Sequence, residues 1–231
     1  MALITNERNS TYLKIADFSI CEKYSSEKDG WEVLKTKDNE GKEYISWIKR
    51  YKMVEGLITK IEFTKRTLPG KNIKVSSWDI HLYDVDLNEK YILQIPATSP
   101  AASRFIKLAE NIDPDLPVQI SAWKDTSEAK AKQAFMVKQV GNNVPQKYTI
   151  KDGKLADYAN PNWENAPGVR LSKSGDKDWL EVEDFLFEKM ETVVMPKFEK
   201  NEALMTAAAK SAIVEEDSDS NDVDEDEIPF N

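Results

Sequence analysis

The chain holds one cysteine, Cys21, one histidine, His81, and only eight scattered glycines. A single cysteine excludes an internal disulfide, and one cysteine with one histidine leaves no ligand set for a structural zinc. The glycines form neither G-x-x-x-x-G-K nor G-x-G-x-x-G, so nothing predicts a phosphate-cradling loop or ATP-driven chemistry. No run approaches the roughly 18 to 20 apolar residues of a membrane helix. The start, Met1-Ala2-Leu3-Ile4-Thr5-Asn6-Glu7, lacks a charged region followed by an apolar one. A reducing, cytoplasmic protein is expected, with no cofactor, no metal and no membrane partner. His81 has no serine- or cysteine-based motif around it, and the carboxylate pairs Asp84/Asp86 and Asp113/Asp115 sit in turn-like contexts, so no enzyme is expected.

Charge is present in quantity but unevenly. The net charge is −9, which alone argues against a polyanionic partner. From Val214 to Asn231, however, there are nine acids and no base, which leaves the other 213 residues balanced. Residues 44–151 hold 17 Lys/Arg against 11 Asp/Glu. A basic middle with an acidic end points to a polyanion for the middle.

Hydrophobic spacing divides the chain. Residues 1–43 read as an amino-terminal arm with a hairpin about the turn-like 37–41. Leu57, Thr59, Ile61 and Phe63 alternate with Ile58, Lys60 and Glu62, which predicts a strand. A turn at 68–72, a strand over 73–85, a turn at 86–89 and a strand over 91–95 follow. Ser99 as cap, Pro100 at the first helical position and Ala102, Phe105, Ile106 and Ala109 at three- and four-residue steps predict a short helix. Strands over 117–124 and 134–140 complete the order strand, strand, strand, helix, strand, strand. That order predicts a mainly β protein: a five-stranded OB-fold barrel with one helix between strands 3 and 4. An accessory hairpin and a carboxy-terminal helix are expected beside it. The domain expectation is an arm at 1–43, an OB core at 44–151, an accessory segment at 152–213 and a disordered acidic tail at 214–231. The accessory segment is loop-rich, with a packing helix over 178–195 and an Ala-rich helical piece at 202–213.

Single-strand binders combine bases that neutralise phosphates with aromatic faces on which nucleobases stack, at roughly 1 to 3 kcal/mol each. The candidates are Trp47, Lys49, Arg50, Tyr51 and Lys52 before the first barrel strand. Lys60, Lys65, Arg66 and Lys74, with Lys71 in the loop, lie on the first two strands, Trp78, His81 and Tyr83 on the second, and Trp123 and Lys124 at a later strand end. Trp78 shares parity with Ile80 and Leu82, the core parity, whereas Tyr83 shares the outer parity with Asp79 and His81; for Trp123 both placements stay open. Phe105 and Phe135 are expected in the core.

The tail is too acidic and too poor in apolar groups to form a core, yet it ends in Ile228-Pro229-Phe230-Asn231. An apolar tip on an acidic leash reads as a linear recognition motif. The run Asp224-Glu225-Asp226-Glu227-Ile228-Pro229-Phe230 resembles the carboxy-terminal peptide of bacterial single-stranded-DNA-binding proteins. The resemblance covers about seven residues, in addition to the strand order. It implies sequence-independent binding of single-stranded DNA and docking of the tail on replication, recombination or repair proteins. It also implies that the tail competes with DNA for the barrel, and homo-oligomerisation is compatible with it. Here Asn231 follows the phenylalanine, and 1–43 and 152–213 have no counterpart in the usual bacterial protein, which points to a divergent phage-encoded member. The alternatives are an adaptor whose barrel binds protein and an OB-type nucleic-acid enzyme.

Overall fold

A computed structural model describes residues 10–37, 41–67, 74–127, 131–160, 163–171 and 177–201. The turn at 68–72 with Lys71, the helical piece at 202–213 and the tail at 214–231 lie outside the described residues.

The centre of the molecule is a meander of three strands, β5 (Met53–Thr67), β6 (Lys74–Asp84) and β7 (Glu89–Pro96), followed by the helix α1 (Pro100–Ala109) and the hairpin of β8 (Val118–Asp125) and β9 (Lys132–Gln139). These are the five strands and the helix expected from spacing. Ser99 caps α1 by accepting the Ala102 N–H at 3.1 Å, and Pro100 opens the first turn, where its missing donor costs nothing. Ala101, Ala102, Phe105, Leu108 and Ala109 bury one face of the helix, and the Phe105 ring meets Phe135 edge-on at 6.4 Å.

β5 departs from the spacing. A bulge between Ile58 and Lys60 switches its parity, so Val54, Ile58 and Ile61 are buried while Leu57 and Thr59 are only part-covered. The same stretch changes partner: residues 53–56 pair with β8, and Leu57 onwards pairs with β6. Gly56 permits that close passage, since a Cβ there would stand 2.8 Å from the Tyr83 carbonyl oxygen.

The chain is mainly β, as expected, but its five core strands are part of a larger sheet rather than a five-stranded barrel. The sheet has ten strands in the order β10-β9-β8-β5-β6-β7-β1-β2-β4-β3, adding β1 (Thr11–Ala16), β2 (Ser19–Tyr24), β3 (Glu32–Lys37), β4 (Glu43–Tyr51) and β10 (Asn142–Asn143), and it does not close. The reason is edge occupancy. β1 lies parallel on β7, from Thr11 opposite Tyr91 to Lys14 opposite Gln94, so that edge is taken, and β9 pairs with β8 and β10 instead. The arm therefore extends the sheet. Its hairpin about 37–41 is present as β3–β4.

The accessory segment contributes short hairpins, β11 (Tyr148–Lys151) with β12 (Lys154–Asp157) and β13 (Arg170–Leu171) with β14 (Lys177–Asp178), then α2 (Leu180–Lys189) and a π-helical stretch Met190–Val194. Phe187 of α2 packs on Phe63 and Trp78, with centroids 4.9 and 5.5 Å apart, and so closes the inner side of the meander. Asn201, buried, donates to the carbonyls of Ile58 and Pro114 and pins the end of the described helix to β5. Among the described residues no helix is long and apolar enough to cross a membrane.

Candidate nucleic-acid interface

The pairing register sorts the meander into two faces. Trp78, Ile80 and Leu82 of β6 point inward with Leu93 and Ile95 of β7 and Leu13 of β1. The opposite parity forms an outer face: Lys60, Glu62, Thr64 and Arg66 on β5, Ser77, Asp79, His81 and Tyr83 on β6, Ile92 and Gln94 on β7, and Tyr12 and Lys14 on β1. β2 continues it with Cys21, opposite Lys14, and Lys23.

On this face lies a cleft of about 560 Å³ lined by Ser10, Thr11, Tyr12, Lys14, Lys23, Tyr24, Arg66 and Gln94. Among the described residues no carboxylate lines it. One lies beneath it: Asp79, its side chain 6% exposed, accepts from Arg66 Nη2 at 2.8 Å, Gln94 Nε2 at 3.0 Å, Ser77 Oγ at 2.6 Å and Thr64 Oγ1 at 3.2 Å. Four donors on one buried carboxylate satisfy it fully and hold the guanidinium of Arg66 at the cleft. Lys14 and Lys23 make no salt bridge among the described residues. Burial, and then the charges of Lys23 and Arg66, pull the Lys14 ammonium below its usual range. Tyr12 stands at the wall with 54% of its surface open.

Of the described residues that the sequence singled out, Arg66 alone lines this cleft. Lys60, His81 and Tyr83 share its face, but Lys60 and His81 both engage Glu62, at 2.7 and 3.1 Å, and the Tyr83 hydroxyl donates to Asn88 at 2.8 Å. Lys60 first, then His81, holds the Glu62 carboxyl below its usual range against the opposing effect of burial.

Arg50 is turned to structure. It donates to the Asp17 carboxylate and carbonyl, to Ser19 and to Glu32, at 2.6 to 3.2 Å, and clamps the tight β1–β2 turn in which Asp17 and Phe18 both take positive φ, 45° and 61°. Tyr51 donates to Glu22, Lys49 lies over the Tyr51 ring at 5.3 Å, and Lys124 lies over Phe18 at 5.6 Å. Trp78, 1% exposed between Phe63 and Phe187, is a core residue and offers no face to a base. Lys65 lies over Phe63 at 5.6 Å, Lys52 and Lys74 are exposed, and Trp47 is half-buried, all outside the cleft lining.

Trp123, 44% exposed, belongs to a second groove of about 810 Å³ between α1 and the β8–β9 hairpin, with Leu108, Met136, Val144, Pro145 and Tyr158. The tail residues 224–230 lie outside the described residues.

Sequence reading missed Tyr12, Lys14, Lys23, Tyr24 and Gln94. Their signal was weak but present: Tyr12-Leu13-Lys14-Ile15 alternates with period two, one side polar and the other apolar. The β1–β7 pairing across more than seventy intervening residues left no local trace. Comparison with protein-family models, with curated proteins and with solved structures gives no match.

Proposed function

We propose that the protein is a non-catalytic binder of single-stranded DNA that holds the strand on the outer face of β5, β6, β7 and β1. The observation that carries this reading is the convergence of Lys14, Lys23 and Arg66 on a cleft whose described lining holds no carboxylate, beside the open ring of Tyr12. Cations supply sequence-independent affinity through phosphate neutralisation, and the ring supplies stacking. The order β9-β8-β5-β6-β7 with α1 between β7 and β8 supports an OB-type core, whose ligand face is the outer side of its second and third strands, here β6 and β7. In this reading the acidic tail recruits replication, recombination or repair proteins through Ile228, Pro229 and Phe230, in the cytoplasm of a bacterium or of a phage-infected host.

Fluorescence anisotropy of a labelled oligothymidine tests it. Binding should tighten at low salt, exceed duplex binding, and show a log–log salt slope of about −2, as expected for three phosphates on a single strand. Absence of binding at low salt would sink the reading. Tryptophan quenching is the poorer probe, because the rings lining the cleft are tyrosines.

One observation favours a protein ligand for part of the surface. The Trp123 groove is lined mainly by apolar side chains and has Trp123 and Tyr158 exposed, a lining that suits a peptide. Trp123→Ala should then weaken protein capture and leave oligothymidine binding unchanged.

A further inference from the structure

The outer-face cleft is more charged than an internal stretch of strand requires. Among the described residues Lys14, Lys23 and Arg66 bring three positive charges, and Asp79 beneath them returns one, a surplus of two. The surplus is concentrated. Lys14 feels the like charges of both Lys23 and Arg66, although it stands exposed at the cleft, where water screens part of the repulsion. Arg66 is not free to swing away, because Asp79 holds it and is itself held by Gln94, Ser77 and Thr64. Like charges gathered around one cleft favour a compact anion between them. A phosphodiester brings one negative charge, whereas a phosphomonoester brings about −1.5 to −2 at neutral pH and three acceptor oxygens. The monoester matches both the charge and the three donor groups.

We propose that this cleft selects a terminal phosphomonoester, the phosphorylated end of a strand or a nucleoside monophosphate, over the diesters inside a strand. The phosphate sits among Lys14, Lys23 and Arg66, and the adjoining base stacks on Tyr12. The proposal rests on the reading of this face as the strand-binding surface and adds to it a preference for ends.

The test uses the full chain and oligothymidines of one length carrying a 5′-hydroxyl, a 5′-phosphate or a 3′-phosphate, each labelled at the other end, with thymidine 5′-monophosphate and inorganic phosphate as competitors. At least one phosphorylated strand should bind about fivefold or more tighter than the hydroxyl strand, the scale of one or two added charge-assisted bonds. Lys14→Met and Lys23→Met, which keep side-chain length and lose charge, should each weaken all three strands but the phosphorylated ones more, so that phosphorylated and hydroxyl strands bind the variant alike. Equal affinity for all three strands overturns the proposal and leaves strand binding standing. A preference that survives in both variants also overturns it, since the phosphate would then be read elsewhere. If thymidine monophosphate protects the protein against heat in a Lys14-dependent way while no strand binds, the cleft stands as a nucleotide site and the strand reading falls.

Discussion

Two places in this molecule have a similar make-up and differ in how their charges are matched. The β4 run Trp47 to Tyr51 and the cleft formed by Tyr12, Lys14, Lys23 and Arg66 each gather cations and aromatic rings. On β4 the groups are spent internally: Arg50 closes the Asp17–Phe18 turn against Asp17 and Glu32, Tyr51 donates to Glu22, and Lys49 lies on the Tyr51 ring. In the cleft, only Arg66 of the three cations pairs with a carboxylate, Asp79, among the described residues. The number of unmatched partners, rather than the local density of bases, separates the proposed binding surface from scaffolding.

The acids differ between the two places as much as the bases do. Asp79 is 6% exposed, whereas Asp17 and Glu32 are 45% and 62% exposed. Removing a buried acceptor strands its donors, whereas exposed partners are replaced by water. Asp79→Ala should therefore cost about 3 kcal/mol in a denaturant titration and Glu32→Ala about 0.5 kcal/mol or less. Similar costs at the two sites would break the comparison at its structural end.

Binding should divide in the opposite sense to composition. Lys14→Met combined with Lys23→Met should weaken oligothymidine binding about thirtyfold at low salt and flatten the salt slope by about 1.4, two phosphate contacts' worth. Lys49→Met, on the run richest in bases by sequence, should change affinity less than about twofold. Anisotropy titrations at two salt concentrations decide between them. Tyr12→Ala should come next, at about fivefold, the low end of one lost stacking contact, with the salt slope unchanged because no charge is removed. A loss at Lys49 equal to that of the Lys14 and Lys23 pair would move the interface to β4.

The sequence made the meander, α1 and the β8–β9 hairpin legible because each rests on local spacing: period two for the strands, and Ser99-Pro100 followed by Ala102, Phe105 and Ala109 for the helix. It hid what depends on distant pairing or on exceptions to turn chemistry. The β1–β2 hairpin turns on Asp17-Phe18, without the Gly or Asn that such a turn normally takes, and is held by Arg50 from a strand more than thirty residues away. The bulge at Ile58/Lys60 reversed the expected inward parity at Leu57 and Thr59. The β11–β12 hairpin, expected only as part of a loop-rich segment, did carry a local signal: Asp152-Gly153, both at positive φ, sits between Thr149-Ile150 and Leu155. Arg66 was found because it follows an alternating strand, and Lys14 and Lys23 were missed because nothing local says that their strands join that sheet.

The smallest expected effect is also the one that separates a cleft waiting for an anion from a scaffold already satisfied. The Lys14 ammonium is held below its ordinary 10.5 by burial first and by Lys23 and Arg66 next, so folding disfavours its charged form. Its contribution to stability is therefore unfavourable at pH 7, where it is protonated in both states, and the penalty fades as pH rises through the lowered pKa towards 10.5. Lys14→Met removes the charge and keeps the methylenes, so the free protein should melt about 2 °C higher at pH 7 and low salt, even as strand binding weakens. Salt should shrink the gain by screening Lys23 and Arg66. Arg50→Met should move the other way, since that guanidinium is matched and its carboxyl partners favour the charged form. A fall in melting temperature for Lys14→Met would mean that the ammonium is already paired within the chain, and the contrast between the two basic places would disappear.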